Sequence, residues 1–227
     1  GTLDPLATGL LIVMLGEATK LSPWLMGRDK TYTAEVEFGW ETDTLDSDGE
    51  VTHRQDITEA QIAALPIEEA LKELQRQVEQ VPPVYSALKR QGKRLMHMAR
   101  QGEAVSVEAR PCKCHRLTLL ERRARSVQIE VEVGSGFYVR SLARDIGARL
   151  GVPTVLTGLR RTHVGGFEVA DAVKPEDVSM SAVLPIQKSL GDIPTPRLSH
   201  EQAVSVGHGK ECLIEAPEGA TLVLACH

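Results

Sequence analysis

One carboxylate, Asp4, stands in the opening run Gly1-Thr2-Leu3-Asp4-Pro5-Leu6-Ala7-Thr8-Gly9, directly ahead of the apolar stretch Leu10–Leu15. Pro5 sets one φ angle and Gly9 admits an unusual one, so this loop can hold a fixed shape and present its carboxylate as a nucleophile. Asp-Pro is also a common turn starter, and spacing alone favours the turn. Two other clusters invite a metal test. Cys112-Lys113-Cys114-His115 lacks the two-residue cysteine spacing of a zinc site and has no second cluster nearby. Asp43, Asp46, Asp48 and Gly49 do not make a calcium loop, which needs an acidic or amide residue at 44 and Glu at 55, where the chain has Thr44 and Gln55. The first cluster reads as reduced cysteines. The second reads as an Asp-rich turn with a possible supporting place at a site. No metal is expected.

Charge supplies a further signal. The chain carries −5 overall, yet residues 86–125 hold eleven Lys and Arg against three Glu. A basic band on an acidic body is an electrostatic footprint for phosphates. A solvated loop and strand edge stays open as the plainer reading.

The opening run, continued by Gly16-Glu17-Ala18-Thr19-Lys20, resembles the catalytic segment of the TruB family of tRNA pseudouridine synthases. The resemblance continues in the family's order through Asp29-Lys30-Thr31-Tyr32, Thr42-Asp43-Thr44-Leu45-Asp46 and Val81-Pro82-Pro83-Val84-Tyr85-Ser86-Ala87-Leu88-Lys89. It reappears in Gly136-Phe137-Tyr138-Val139-Arg140 and Leu159-Arg160-Arg161. It implies an α+β pseudouridine synthase fold: a mixed, largely antiparallel sheet with flanking helices and an RNA-binding loop.

The implied reaction detaches uracil from ribose C1′, turns it over and rejoins it through C5, after the base has left its stack. It has no redox step, so no cofactor is implied. By resemblance Asp4 is the nucleophile, Arg140 the active-site arginine that orients it, and Tyr32 the residue that stacks on the base and takes a proton. Leu159 lines the pocket and Lys20 contacts phosphate or supports the loop. Lys89, Arg90, Lys93 and Arg94 are expected to grip tRNA phosphates. The implied substrate is uridine-55 in the T arm of tRNA, bound by a monomeric, cytoplasmic enzyme with no obligatory protein partner and no membrane. A guide-RNA-dependent synthase of the same superfamily and a non-catalytic tRNA-folding chaperone are the rivals. The long basic segment favours a protein that grips tRNA unaided. Phe137 departs from the Thr common at its place in the family. The family also has a strand and an RNA-inserting histidine ahead of the Asp4 loop, so this chain is expected to lack both.

These residues need elements to position them. Leu10–Leu15 reads as a buried strand and Glu17–Met26 as a short helix stopped by Gly27. Tyr32, Ala34, Val36 and Phe38 alternate with polar residues as in a half-buried strand, followed by a hairpin connection over 43–49. Thr58-x-x-Gln61 is a capping box, and after Pro66 a helix carries Ile67, Leu71, Leu74 and Val78 on one face. Residues 86–104 read as a mobile loop with a short helix. Leu117–Leu120 and Val127–Val133 read as strands of one sheet. A helix follows from Val139 to Leu150 with Gly151 as its stop, placing Arg140 in the first turn of a helix that leaves a sheet edge. Val155–Val164 reads as another strand. The catalytic domain is expected over 1–190. Residues 191–227 are expected to form a linker and a partial PUA-like RNA-binding module. With 227 residues, 42% hydrophobic and 25% charged, the composition is that of a globular domain plus a small appendage.

Overall fold

The computed structural model describes residues 2–77, 79–86, 89–90, 93–94, 107–190 and 197–215. They divide into two compact units, Gly1–Ala172 and Val173–His227. The strands are β1 (Ala7–Gly9), β2 (Lys30–Phe38), β3 (Trp40–Thr42), β4 (Val51–Arg54), β5 (Glu79–Gln80), β6 (Lys89–Arg90) and β7 (Lys93–Arg94). They continue as β8 (Arg110–Pro111), β9 (Cys114–Arg122), β10 (Ser126–Val133), β11 (Thr154–Val164) and β12 (Phe167–Glu168). The α-helices of the first unit among the described residues are α1 (Ser22–Gly27), α2 (Glu59–Ala63), α3 (Ile67–Gln75) and α4 (Val139–Leu150).

The main sheet runs β1-β11-β2-β10-β9, with β12 paired to β11. Its pairings are antiparallel except β1 with β11, which is parallel. The sheet is therefore mixed and largely antiparallel, as expected. The alternation in β2 does what a period of two requires: Ala34, Val36 and Phe38 are buried on one face. They pack with Val127, Ile129, Val131 and Val133 of β10 and with Val139, Leu142, Ala143 and Ile146 of α4. That apolar set on α4 recurs at helical spacing, and Gly151 ends the helix at φ +67°, a left-handed cap that glycine adopts at no steric cost. Thr58 and Gln61 form the capping box of α2, while Ile67, Leu71 and Leu74 of α3 are buried; Val78 lies outside the described residues.

Several expectations are corrected. Leu10–Leu15 is not a buried strand. The strand lies earlier, at Ala7–Gly9, and of the run only Leu10 is fully buried, whereas Leu11, Val13 and Leu15 point outward at 48%, 72% and 64% exposure. The β1–β11 ladder ends where the Leu10 N–H donates to the Arg161 carbonyl, and among the described residues no strand pairs with 11–15. The expected helix over 17–26 splits into a 3₁₀ turn, Gly16–Leu21, and α1, because Pro23 has no N–H to continue the first hydrogen-bond ladder. α4 follows β10, an interior strand of the sheet and not an edge. Within the expected 86–104 loop, β6 and β7 pair antiparallel as a short hairpin; the expected short helix falls outside the described residues. The second unit contains short helices at Ile186–Ser189 and His200–Gly207, the latter with a Ser199–Gln202 capping box.

Candidate active site

Asp4 closes a tight turn: the Ala7 N–H donates to its carbonyl at 2.9 Å, with Pro5 pre-set for the turn's second position. β1 follows and seats the loop on β11 through the pairs Ala7–Leu159, Thr8–Arg160 and Gly9–Arg161. The last pair demands glycine. At φ +96°, a Cβ on residue 9 would lie 2.2 Å from the Arg161 carbonyl oxygen. The same ladder thus places the Asp4 turn beside Leu159 and Arg161.

Arg140 comes to this turn from the first turn of α4, 136 residues away in sequence. Its Nε donates to Asp4 Oδ2 at 3.0 Å and its Nη2 to Asp4 Oδ1 at 3.2 Å, a two-pronged grip. The remaining donors are also placed. Nη2 donates to the Tyr85 carbonyl at 2.9 Å, and Nη1 donates to the Thr44 carbonyl at 3.1 Å and lies 3.4 Å from Asp46 Oδ2. The Arg140 and Asp46 side chains are 8% and 5% exposed, while Asp4 keeps 35%. The arginine is locked from behind, and the carboxylate in front of it remains reachable. A guanidinium held by five contacts to fixed groups is fixed in one position, so Asp4 is held in one orientation.

The blocks around Thr44 and Tyr85 serve the site through their main chain. Leu45 adopts φ +66°, a left-handed conformation uncommon for leucine, between the two residues that hold Arg140. Asp46 Oδ1 accepts the Thr44 hydroxyl at 2.6 Å and the Asp48 N–H at 3.2 Å, which leaves Oδ2 for Arg140. The supporting place expected for the acidic turn belongs to Asp46. Gln80, buried and not singled out from the sequence, fixes the entry to α4. Its Nε2 donates to the Tyr138 carbonyl at 3.1 Å and its Oε1 accepts the Tyr138 N–H at 2.9 Å. Ser141 Oγ donates to the Val81 carbonyl at 2.8 Å and completes the clamp.

Asp4, Tyr32, Arg140 and Leu159 line one cleft of about 310 Å³, within the usual size of a small-ligand site. Leu25, Phe137 and Val164 supply apolar wall, and Lys30 and Arg161 add two cations. Burial pushes the Tyr32 phenol above its usual 10.0, against a hydrogen bond and a nearby charge from Arg161 that pull it down. Burial likewise lowers the Lys30 ammonium from 10.5, helped by the charge of Arg161 and opposed by Asp29. Lys30 and Arg161 were not singled out as site residues. Yet each sits two positions from one that was, Tyr32 and Leu159, and alternation in a strand places such pairs on one face. A larger open hollow of about 560 Å³ lies over α3 and α4 and contains none of the expected residues. Two of its three arginines already face carboxylates, Arg149 with Glu73 and Arg144 with Asp145.

Lys20 is not brought to the cleft. It lies on the exposed turn Gly16–Leu21, paired with Glu17. The side chains of Lys89, Arg90, Lys93 and Arg94 lie outside the described part of the structure. The basic band is not one continuous free surface, because Arg116 pairs with Glu130, Arg122 with Glu68 of α3, and Arg123 with Glu35 and Glu121. Among the described residues no cluster of His, Cys, Asp and Glu could hold a metal, and no helix is long and apolar enough to cross a membrane. Cys112, Cys114 and Cys212 are free thiols.

The chain is 42% identical over 234 residues to tRNA pseudouridine synthase B of Aromatoleum aromaticum, covering 97% of this chain and 72% of that protein. It is 38% identical over 218 residues to the protein of the same name from an Azoarcus species, covering 93% and 72%. A chain in the crystal structure of a Cbf5-Nop10-Gar1 complex superposes with a TM-score of 0.68 at 26% identity. That match covers 93% of this chain and 58% of the other, so this chain spans less than two thirds of that structural relative. Residues 1–139 match the family described as TruB family pseudouridylate synthase (N terminal domain), and the chain belongs to that family.

Proposed function

We propose that the chain converts uridine to pseudouridine in tRNA, at position 55 of the T arm, as a stand-alone monomeric enzyme. One observation carries the reading: a two-pronged, fully braced Arg140 holds a partly open Asp4 in a nucleotide-sized cleft, in a chain of the TruB family. Asp4 acts as the nucleophile. Arg140, itself held from behind by Asp46, keeps the carboxylate aimed. Tyr32 stacks on the extruded base and receives a proton, and Leu159 packs against the base edge. Lys89, Arg90, Lys93 and Arg94 neutralise backbone phosphates, and Lys20 does so outside the cleft; such contacts position the RNA without reading its sequence. Residues 191–227 serve as linker and first part of a PUA-like RNA-binding module following a catalytic domain over 1–190.

The test is tritium release from tRNA labelled at C5 of uridine, because the rearrangement replaces the C5–H bond. The chain should release tritium without added guide RNA, and should release none from tRNA carrying cytidine at position 55. Asp4→Asn should bind tRNA normally and release nothing. Release by Asp4→Asn above a tenth of the unaltered rate would overturn the nucleophile. A requirement for guide RNA would favour the guide-dependent rival instead.

A further inference from the structure

Two cations line the cleft and take no part in the grip on Asp4. Arg161 is 4% exposed, and its side-chain hydrogen-bond partner among the described residues is neutral: Nε donates to the Leu10 carbonyl at 2.7 Å. Lys30 lies on β2 on the same face as Tyr32, half-buried. Its Nζ donates to the carbonyls of Met26 at 2.9 Å and Arg28 at 2.6 Å, which leaves one of its three protons unassigned. Among the described residues neither cation forms an ion pair with a carboxylate. Asp29, the acid next to Lys30 in sequence, lies 3.2 Å from His115 Nε2. Two like charges that line one cleft, close enough for Arg161 to bear on Lys30, are costly to the free protein, and an arriving anion would offset that cost.

We infer that Lys30 and Arg161 form an anion subsite for the uracil base, which holds the negative charge the base carries while it is detached from the ribose. The inference rests on the proposed pseudouridine chemistry. When the C1′–N1 bond breaks, its electron pair leaves with N1 and spreads over the base oxygens O2 and O4. The pair is returned when C5 bonds to C1′; C5 then loses its proton and N1 gains one, so the change is an isomerisation with no oxidant or reductant. Register locates the subsite at the base and not at the RNA backbone. Arg161 is the β11 partner of Tyr32, and Lys30 pairs with Val164, next to the apolar walls Leu25 and Leu159. A backbone phosphate stays hydrated, whereas charge that develops inside a dry cleft is where fixed donors act most strongly.

The experiment compares Lys30→Met and Lys30→Arg with the unaltered chain in single turnover. It uses tRNA carrying uridine or 5-fluorouridine at the target and reads loss of the starting nucleoside, separated by chromatography of digested RNA from its isomeric or rearranged product; with fluorine at C5 there is no proton to lose, so only cleavage and rejoining are compared. Fluorine stabilises the uracil anion and so reduces the need for the cation. Lys30→Met should slow uridine conversion about 100-fold, as loss of one donor to a developing charge does. Its tRNA dissociation constant should stay within about twofold, since phosphate contacts set that affinity. The deficit should fall below about tenfold on fluorouridine, and Lys30→Arg should recover most of the uridine rate, because both restore the balance of charge. An equal deficit on both bases would overturn the subsite and leave Lys30 as a brace for α1. Weaker binding with a salt slope reduced by about one, at unchanged rate, would also overturn it in favour of a backbone phosphate. Lys30→Gln replaces the methionine variant if that fails to fold. Failure of the unaltered chain to convert uridine would remove the pseudouridine reading itself, and this inference with it.

Discussion

Arg140→Lys separates charge from geometry at the site. Lysine keeps the positive charge near Asp4 and Asp46, so a purely electrostatic role would survive. It cannot keep the contacts. Arg140 uses Nε and Nη2 on the two Asp4 oxygens and spends further protons on the Thr44 and Tyr85 carbonyls, which lie in different directions. One ammonium nitrogen can hold one Asp4 oxygen at most while reaching a single carbonyl. A lost charge-assisted hydrogen bond is worth about 1.5–3 kcal/mol, which converts to roughly a 10- to 150-fold fall in rate if the bond is needed in the transition state. A buried carbonyl left without a donor costs about 1–3 kcal/mol of stability, a loss of roughly 2–12 °C in melting temperature for a unit of this size. Single-turnover tritium release would read the first quantity and thermal melting the second. Arg140→Gln should be less stable again, because Asp46, 5% exposed, then loses its counter-ion, at about 3–5 kcal/mol. A lysine variant that retains more than a tenth of the rate would refute the argument that two-pronged geometry matters.

Tyr32→Phe should keep stacking and tRNA affinity but lose about 100-fold in single-turnover rate, the lower end of what a proton-transfer group contributes. Burial raises the Tyr32 phenol above 10.0, so its contribution to stability is complete below that pH and is lost as pH rises through the folded value; the phenylalanine variant should show a flatter alkaline limb in melts taken above pH 10. Gly9→Ala forces a Cβ to 2.2 Å from the Arg161 carbonyl oxygen at φ +96° and should lower the melting temperature and detach the Asp4 loop; an unchanged melt would contradict the close β1–β11 approach. Replacing Lys89, Arg90, Lys93 and Arg94 together by Gln should weaken tRNA binding and flatten its salt dependence by about one unit per lost phosphate contact, with little change in rate on bound tRNA. An unaltered slope would make the hairpin an ordinary solvated surface.

Local sequence determined much of this protein. Alternation over Tyr32–Phe38, helical spacing over Val139–Leu150 with Gly151 after it, and the Thr58–Gln61 box each specified an element, because periodicity and capping act within a few residues. Residue blocks also named Asp4, Tyr32, Arg140 and Leu159, which the fold gathers into one cleft. Tertiary structure decided the rest. Leu10–Leu15 is apolar enough for a buried strand, yet burial is set by what packs against a segment, and here the ladder stops at Leu10. Arg140 meets carbonyls at Thr44 and Tyr85 and a carboxylate at Asp46, 96, 55 and 94 positions away, through backbone groups and a left-handed Leu45 that no residue pattern announces. Lys30 and Arg161 share a face with recognised residues, but their want of a carboxylate partner is a property of the packed wall. Strand period and helix caps are short-range quantities readable along the chain, whereas the grip on Asp4 depends on distances between segments that only chain reversal creates.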